Sequence, residues 1–169
     1  MEILEGILTR RSIRRYTCER VPDEMIMHIL EAGMYAPSAV NRQPWHFIVI
    51  RSKETFRQIM KIHPYAGMLE SADVAFLVCG DTKLEHGPGY WVVDCSAATQ
   101  NMLLAIHGLG LGGVWVGIHP REQRKEAMRQ IFGLPENIQP AALIACGRPA
   151  ESKPHPQRFR KEKIHWEIW

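Results

Sequence analysis

Arg10, Arg11, Arg14 and Arg15 stand within seven residues of one another, with Ser12 and Tyr16 among them. Four guanidinium groups and two hydroxyls so close together suit an anion with several oxygens, most simply a phosphate. The planar guanidinium fork meets such oxygens in pairs and keeps its charge at any working pH. No acidic residue lies between Arg10 and Cys18 to neutralise the cluster. Opposite unit charges near 4 Å attract by about 4 kcal/mol at an effective dielectric near 20, and like charges repel as strongly. A bound dianion would relieve that repulsion. A second segment, Ala36-Pro37-Ser38-Ala39-Val40-Asn41-Arg42-Gln43-Pro44-Trp45, is short, polar and held between two prolines. Its small residues would let a flat heteroaromatic ring approach closely. A phosphate at one end and a ring at the other describe a mononucleotide.

These segments must be carried by elements that the hydropathy pattern outlines. Glu2 to Thr9 reads as a short helix with Ile3, Leu4, Ile7 and Leu8 on one face. Pro22 suits the first position of a second helix, with Asp23 and Glu24 in the first turn. That helix runs to about Tyr35, with Met25, Ile29, Ala32 and Gly33 facing inward, and Pro37 stops it. His46 to Ile50 is an apolar, β-branched run and reads as a strand. Ser52 caps a helix through Ile62, and Val74 to Cys79 is a second strand. Trp91 to Leu109 is the longest helical stretch and is apolar almost all round, as a central or interfacial helix would be. Val114 to Val116 is a third strand. Pro120 opens a helix that ends near Phe132, with Gly133 as its stop. Ala141 to Cys146 is a fourth strand. Ile164 to Trp169 alternates apolar and polar residues, as a strand with one buried face would. Helices and strands mix without a strict βαβ rhythm, so the pattern favours an α+β fold.

Four motifs in register resemble the nitroreductase family of FMN-dependent enzymes. They are Arg10-Arg11-Ser12-x-Arg14; Pro37-Ser38-x-x-Asn41-x-Gln43-Pro44-Trp45-x-Phe47; the glycine-rich stretch Gly108 to Gly117; and the tail Arg158-Phe159 followed by Ile164-His165-Trp166. The resemblance covers essentially the whole chain. It implies a mixed, mainly antiparallel sheet flanked by helices. It also implies an intertwined homodimer that exchanges C-terminal arms (about residues 148–169) and holds FMN at two interface sites. By resemblance, Arg10, Arg11 and Ser12 hold the phosphate and ribityl chain, Arg14 approaches the pyrimidine edge, and Arg158 reaches the phosphate. Pro37, Ser38, Ala39, Asn41 and Gln43 would reach the flavin bound mainly by the other subunit. Ala39 stands where many relatives carry serine, so only its backbone can take part. Backbone groups at Trp115, Val116 and Gly117 would face N5. The implied activity is hydride transfer from NADH or NADPH to FMN, then reduction of an electron-poor acceptor such as a nitroaromatic or a quinone. No side chain is required as an acid or base, and no catalytic residue is assigned.

These residues admit other readings. Gly108-x-Gly110-x-x-Gly113 spells a dinucleotide fingerprint, but it follows a helix and leads into a strand, the reverse of what that fingerprint needs. The basic tail, with Phe159 and Trp166, could stack on nucleic-acid bases. Glu162 and Glu167 interrupt it, and the net charge is only +3. A flavin-binding protein for storage or sensing, without its own turnover, is the alternative function. A specialised reductase is another; the stretches 63–70 and 83–90 could supply only a small lid. The four cysteines form no CxxC pair and none has a histidine at zinc-ligand spacing. They read as reduced thiols of a cytoplasmic protein, with Cys79 and Cys146 in buried strands. With 169 residues and 46% hydrophobic content the chain is expected to form one domain. No apolar run approaches a membrane span, and the acidic start lacks a signal-peptide pattern. Among the eight histidines, His28, His46 and His107 lie within elements, while His63, His86, His119 and His155 flank proline or glycine in loops. None is singled out as a proton donor.

Overall fold

The computed structural model describes residues 2–17 and 19–169. Its elements are α1 (Ile3–Thr9), α2 (Asp23–Met34), β1 (Trp45–Ile50), α3 (Lys53–Ile62), β2 (Val74–Asp81), α4 (Tyr90–Gly108), β3 (Gly112–Gly117), α5 (Glu122–Phe132) and β4 (Ile138–Gly147). The strands form one sheet in the order β1-β2-β4-β3, and every strand pair is antiparallel. The parallel component expected of a mixed sheet is confined to an isolated bridge, Ser12 to Gly113.

Alternation along β2 and β4 sends side chains to two separate cores. Val74, Phe76, Val78, Ile144 and Cys146 pack under α2 and α4. Ala75, Leu77, Cys79, Leu143 and Ala145 pack with α3 and α5 on the other face. Both faces are covered, so β2 and β4 read as unbroken apolar runs rather than as alternating strands. Burial pushes the thiols of Cys79, Cys95 and Cys146 up, and all three are free. Cys18, the fourth cysteine read as a reduced thiol, lies outside the described residues.

Helix boundaries follow local chemistry. The Ser52 hydroxyl accepts from the Thr55 amide at 3.2 Å and caps α3. Gly133 ends α5 with a left-handed φ of 60°. Pro22 precedes α2 as its cap rather than standing inside it. The buried face of α2 is Ile26, Ile29 and Gly33; Met25 and Ala32, expected inward, are only half-buried. Gly33 gives room to Met102 of α4, whose Cγ would lie 2.9 Å from a Cβ placed there. Pro120 stands in a turn after a cis peptide bond, and α5 begins two residues later than expected. The β2–β4 register shifts between Val78 and Cys79, where Ala141 of β4 is the extra residue beside Pro140, which has no amide hydrogen for the ladder.

One expected element is absent. Ile164 to Trp169 forms no strand; a short 3-10 turn at Lys161–Lys163 precedes a tail that bends at Trp166–Glu167 and stacks the His165 and Trp169 rings with centroids 4.2 Å apart. Trp166, Ile168 and Trp169 are 84%, 81% and 98% exposed. Alternation makes a strand only where a sheet edge accepts it, and within one chain none meets this segment.

Candidate functional site

The arginine segment leaves α1 in extended form and is tied to the sheet at several points. The Ile13 amide donates to the Gly113 carbonyl at 3.1 Å, and the Ala150 amide to the Arg15 carbonyl at 2.8 Å. The Glu151 carboxylate accepts from the Arg14 amide at 2.6 Å, and the Lys153 ammonium donates to the Ser12 carbonyl at 2.6 Å. The Arg14 amide, ahead of Lys153, holds the Glu151 carboxyl below its usual range. Close approach is possible because β3 opens with glycine. A Cβ on Gly112 would lie 2.7 Å from Ile13 Cγ2. The Tyr16 hydroxyl, grouped in the sequence with the anion-binding residues, is buried and spent within the fold. It lies 2.6 Å from the Ile13 carbonyl oxygen and 3.2 Å from that of Ala145. Burial raises its pKa far above the ordinary phenol value.

The guanidinium groups themselves lack counter-charges. Among the described residues, Arg10, Arg11, Arg14 and Arg158 form no ion pair. Nε and Nη1 of Arg11 are buried with no hydrogen-bond partner. Burial lowers the pKa of Arg10, and repulsion from Arg158 and then Arg11 lowers it further. Residues 10 and 158 are therefore close enough in space for one charge to act on the other. Arg11 lines a concavity of about 330 Å³ with Thr9, His107, Lys153, His155 and Glu151, whose carboxylate is paired with Lys153. His107 Nε2 lies 2.8 Å from the Thr9 hydroxyl, which donates to the Glu5 carbonyl, so His107 supplies the proton of that contact. Burial and then Arg10 lower the pKa of His107. Buried donors without acceptors, beside an Arg10 whose charge is disfavoured by two neighbouring cations, suit a phosphate with two negative charges.

A second concavity, of about 250 Å³, brings Arg14 together with Trp115, Val116 and Gly117, and with His63 and Arg124. No carboxylate lines it. It adjoins an open region of about 480 Å³ that shares Arg14, Tyr65 and Met68. β3 is an outer strand of the sheet. The Gly113 carbonyl faces away from β4, since it accepts from Ile13. Alternation then points the backbone of Trp115 and Gly117 outward, and that of Val116 toward Leu143 of β4. Val116, expected to offer a backbone group, thus spends its backbone in the ladder and buries its side chain. The outward amides of Trp115 and Gly117 form an unpaired edge able to donate to a ring nitrogen.

The Pro37–Gln43 loop is placed elsewhere. Pro37, Ser38, Ala39, Asn41 and Gln43 line neither concavity. The loop makes a 3-10 turn at Ala39–Asn41, and its backbone is left-handed at Val40, Asn41 and Gln43, with φ of 51°, 53° and 49°. Three such non-glycine residues cost on the order of 1–3 kcal/mol each and persist only where the surroundings impose them. Asp94 of α4 is one cause. It is 3% exposed, and its Oδ1 accepts from the Ala39 amide at 2.9 Å. The Ser38 hydroxyl accepts from the Gln43 amide, also at 2.9 Å. Asp94, Glu151, Lys153, His63 and Arg124 all shape the site, and none stands out in the sequence. A polar residue inside the apolar run of α4 is the one signal that could have flagged Asp94.

An apolar groove of about 520 Å³ runs between α1, α2 and α4, lined by Ile3, Ile7, Ala32, Tyr35, Leu104 and Ala105. On α1, Ile3, Leu4 and Leu8 are 81%, 73% and 70% exposed. No helix among the described residues is long and apolar enough to cross a membrane.

Comparison with known proteins bears on the family and the fold. The model described as "Nitroreductase family" matches residues 7–77 and 63–148. A Methanothermobacter thermautotrophicus protein named "Putative NADH dehydrogenase/NAD(P)H nitroreductase" is 50% identical over 169 residues, spanning 100% of this chain and 88% of its own. The crystal structure of a Bacteroides thetaiotaomicron protein of the same name superposes with a TM-score of 0.94 at 40% identity, covering 98% of this chain and 97% of that one. A Desulfovibrio desulfuricans protein, described as a putative nitroreductase in complex with FMN, superposes with a TM-score of 0.87 at 34% identity. It covers 100% of this chain and 98% of that one.

Proposed function

The chain belongs to the nitroreductase family, and on that premise we propose that it is an FMN-dependent NAD(P)H oxidoreductase. The observation that carries the proposal is the buried, partnerless Nε and Nη1 of Arg11 beside the mutually repelling Arg10 and Arg158. These three, with the Ser12 hydroxyl, hold the phosphate and the start of the ribityl chain. The distance between the two concavities is bridged by the extended segment itself, so a ligand anchored at Arg11 can lie along the edge of β3. Arg14 meets the ring there, and its charge favours the electron-rich, reduced state of the pyrimidine edge. The outward amides of Trp115 and Gly117 orient the opposite edge.

When bound, FMN supplies the redox chemistry, accepting a hydride from NADH or NADPH and then reducing an electron-poor acceptor such as a nitroaromatic or a quinone, in ping-pong order. The protein's own residues bind, orient and tune. The Trp115 side chain remains partly open to solvent, so water reaches the ring cavity and can supply protons, and Glu70 lines the open region beside it. The open neighbouring region past Tyr65 and Met68 leaves room for acceptors of varied shape.

We further propose that the working unit is a homodimer. The Pro37–Gln43 loop is held rigid by Asp94 yet lines neither concavity of its own chain, and it would complete the flavin site of a second copy. The exposed residues 164–169 and the apolar groove beside α1 are complementary surfaces for exchanged C-terminal arms.

An absorbance spectrum of the purified protein followed by anaerobic titration with each nicotinamide tests the assignment. A yellow protein that bleaches with NADH or NADPH and recovers its colour with a quinone is expected. Colour that never bleaches would leave a flavin carrier without turnover, and a protein that stays colourless in excess FMN would refute the cofactor.

A further inference from the structure

Gly117 ends an outer strand, where backbone freedom is greatest. A Cβ there would meet nothing within 4 Å, so packing does not hold the residue. Its carbonyl is nevertheless held twice. His63 Nε2 lies 2.9 Å from the Gly117 oxygen, and Arg124 Nη1 donates to the same oxygen at 2.9 Å. His63 comes from the turn after α3 and Arg124 from α5, so two elements converge on one atom. The His63 ring is fixed in its turn, because its Nδ1 accepts from the Tyr65 amide at 3.2 Å. Nε2 must then carry the proton and donate to Gly117. His63 is 2% exposed, and the Arg124 guanidinium sits 5.7 Å from the centre of the Tyr65 ring. The histidine, the tyrosine and the arginine form one braced unit on the wall of the cavity that holds Arg14.

We propose that His63 and Arg124 are positioning residues that clamp the Gly117 carbonyl and thereby preorganise the outward amides of Trp115 and Gly117 toward the flavin ring. This rests on the flavin placement above. A glycine at a strand end samples many backbone states, and each departure would swing its amide off the ring. Two donors on one carbonyl, one of them cationic, restrict that motion before any ligand arrives. The clamp acts on orientation, so it governs how fast the ring accepts a hydride rather than how tightly the phosphate is gripped.

The test uses the full-length protein as purified, with hydrogen exchange over residues 114–118 as a readout that does not depend on turnover. Arg124→Met and His63→Leu are each expected to raise exchange at the Val116 amide, which faces β4 in the ladder next to the clamped residue, by about tenfold, the weight of one hydrogen bond at the clamp. They should also shift the visible flavin band. Bleaching by saturating NADH should slow by about tenfold while the FMN dissociation constant moves by less than about threefold. Arg124→Lys and His63→Gln, which keep a donor near the carbonyl, should restore both readouts. Unchanged exchange and an unchanged band in Arg124→Met would overturn the clamp, as would loss of FMN as its sole effect. If His63→Leu does not fold, Arg124→Met decides alone. A wild-type protein that never turns yellow would defeat the flavin placement instead, and the exchange measurement would still judge the clamp.

Discussion

Arg11 keeps two buried guanidinium nitrogens without acceptors, a state that costs about 1–3 kcal/mol for each unsatisfied group unless a ligand answers it. An anion that supplies acceptors recovers that cost, which is why this residue is the anchor of the proposed site. Replacing Arg11 or Arg158 by alanine should weaken FMN binding by about 10–100-fold, the range of one charged hydrogen bond, and leave the far-ultraviolet circular dichroism unchanged. Equilibrium fluorescence titration reads this directly, and full flavin occupancy in both variants would displace the phosphate from this corner. His107 adds a pH dependence. Its pKa is lowered by burial and then by Arg10, so the folded state binds fewer protons there than the unfolded chain does. Stability from this group is therefore complete above the ordinary histidine pKa near 6.5 and declines as pH falls through that value. Thermal melts of FMN-free protein between pH 8 and pH 5.5 should show this decline, and His107→Gln should flatten it. Glu151 behaves in the same direction at lower pH, since the Arg14 amide holds its carboxyl down and protonation releases the arginine segment.

The elements owe their boundaries to local signals and their function to where they meet. The Ser52 cap on α3 is local: Ser52→Ala should cost about 1 kcal/mol and lower the melting temperature by a few degrees, with flavin content untouched. Gly112 is the contrasting case. Its missing Cβ lets Ile13 sit against β3, which places the arginine segment over the sheet. Gly112→Ala should cost roughly 1–3 kcal/mol by overpacking and should also reduce FMN affinity, because the displaced residue lies between Ser12 and Arg14. Paired urea melts and flavin titrations separate the two variants; retention of full affinity in Gly112→Ala would show that the segment does not depend on this contact. The Ser52 cap was readable because a serine ahead of an amphipathic run is a short-range signal. The contact of Gly112 with Ile13 was not, because nothing in a glycine pair names the side chain it admits.

At the scale of the molecule, a helix with an exposed apolar face, a groove beside it and a tail ending in three bulky apolar residues leave surface that a lone chain does not cover. Contiguous patches of this kind mark interaction surfaces. Ending the chain at Lys163 should convert a dimer into a monomer in sedimentation equilibrium and remove most of the bound FMN. A truncated protein that remained dimeric and yellow would show that the arm is dispensable. The exposed tail also explains why the strand expected at Ile164 to Trp169 is absent. Its alternation describes how the segment would pair, and pairing needs contact with a sheet edge, which the segment does not make within one chain.

Periodicity, caps and glycine stops follow from interactions a few residues long, so the order and approximate limits of nine helices and strands were legible from residue types alone. The four spaced motifs were enough for the family for a related reason: each is a short run whose residue types and order can be read without knowing what it meets in the fold. The convergence of sites did not follow in the same way. His63 and Gly117 are 54 positions apart, Asp94 and Ala39 are 55 apart, and Lys153 and Ser12 are 141 apart. Such pairs meet through hydrogen bonds to backbone atoms, and a backbone carbonyl or amide looks the same beneath every side chain. Which atoms they reach is set by the packing of two cores against the sheet, and that packing exists only once the chain has folded.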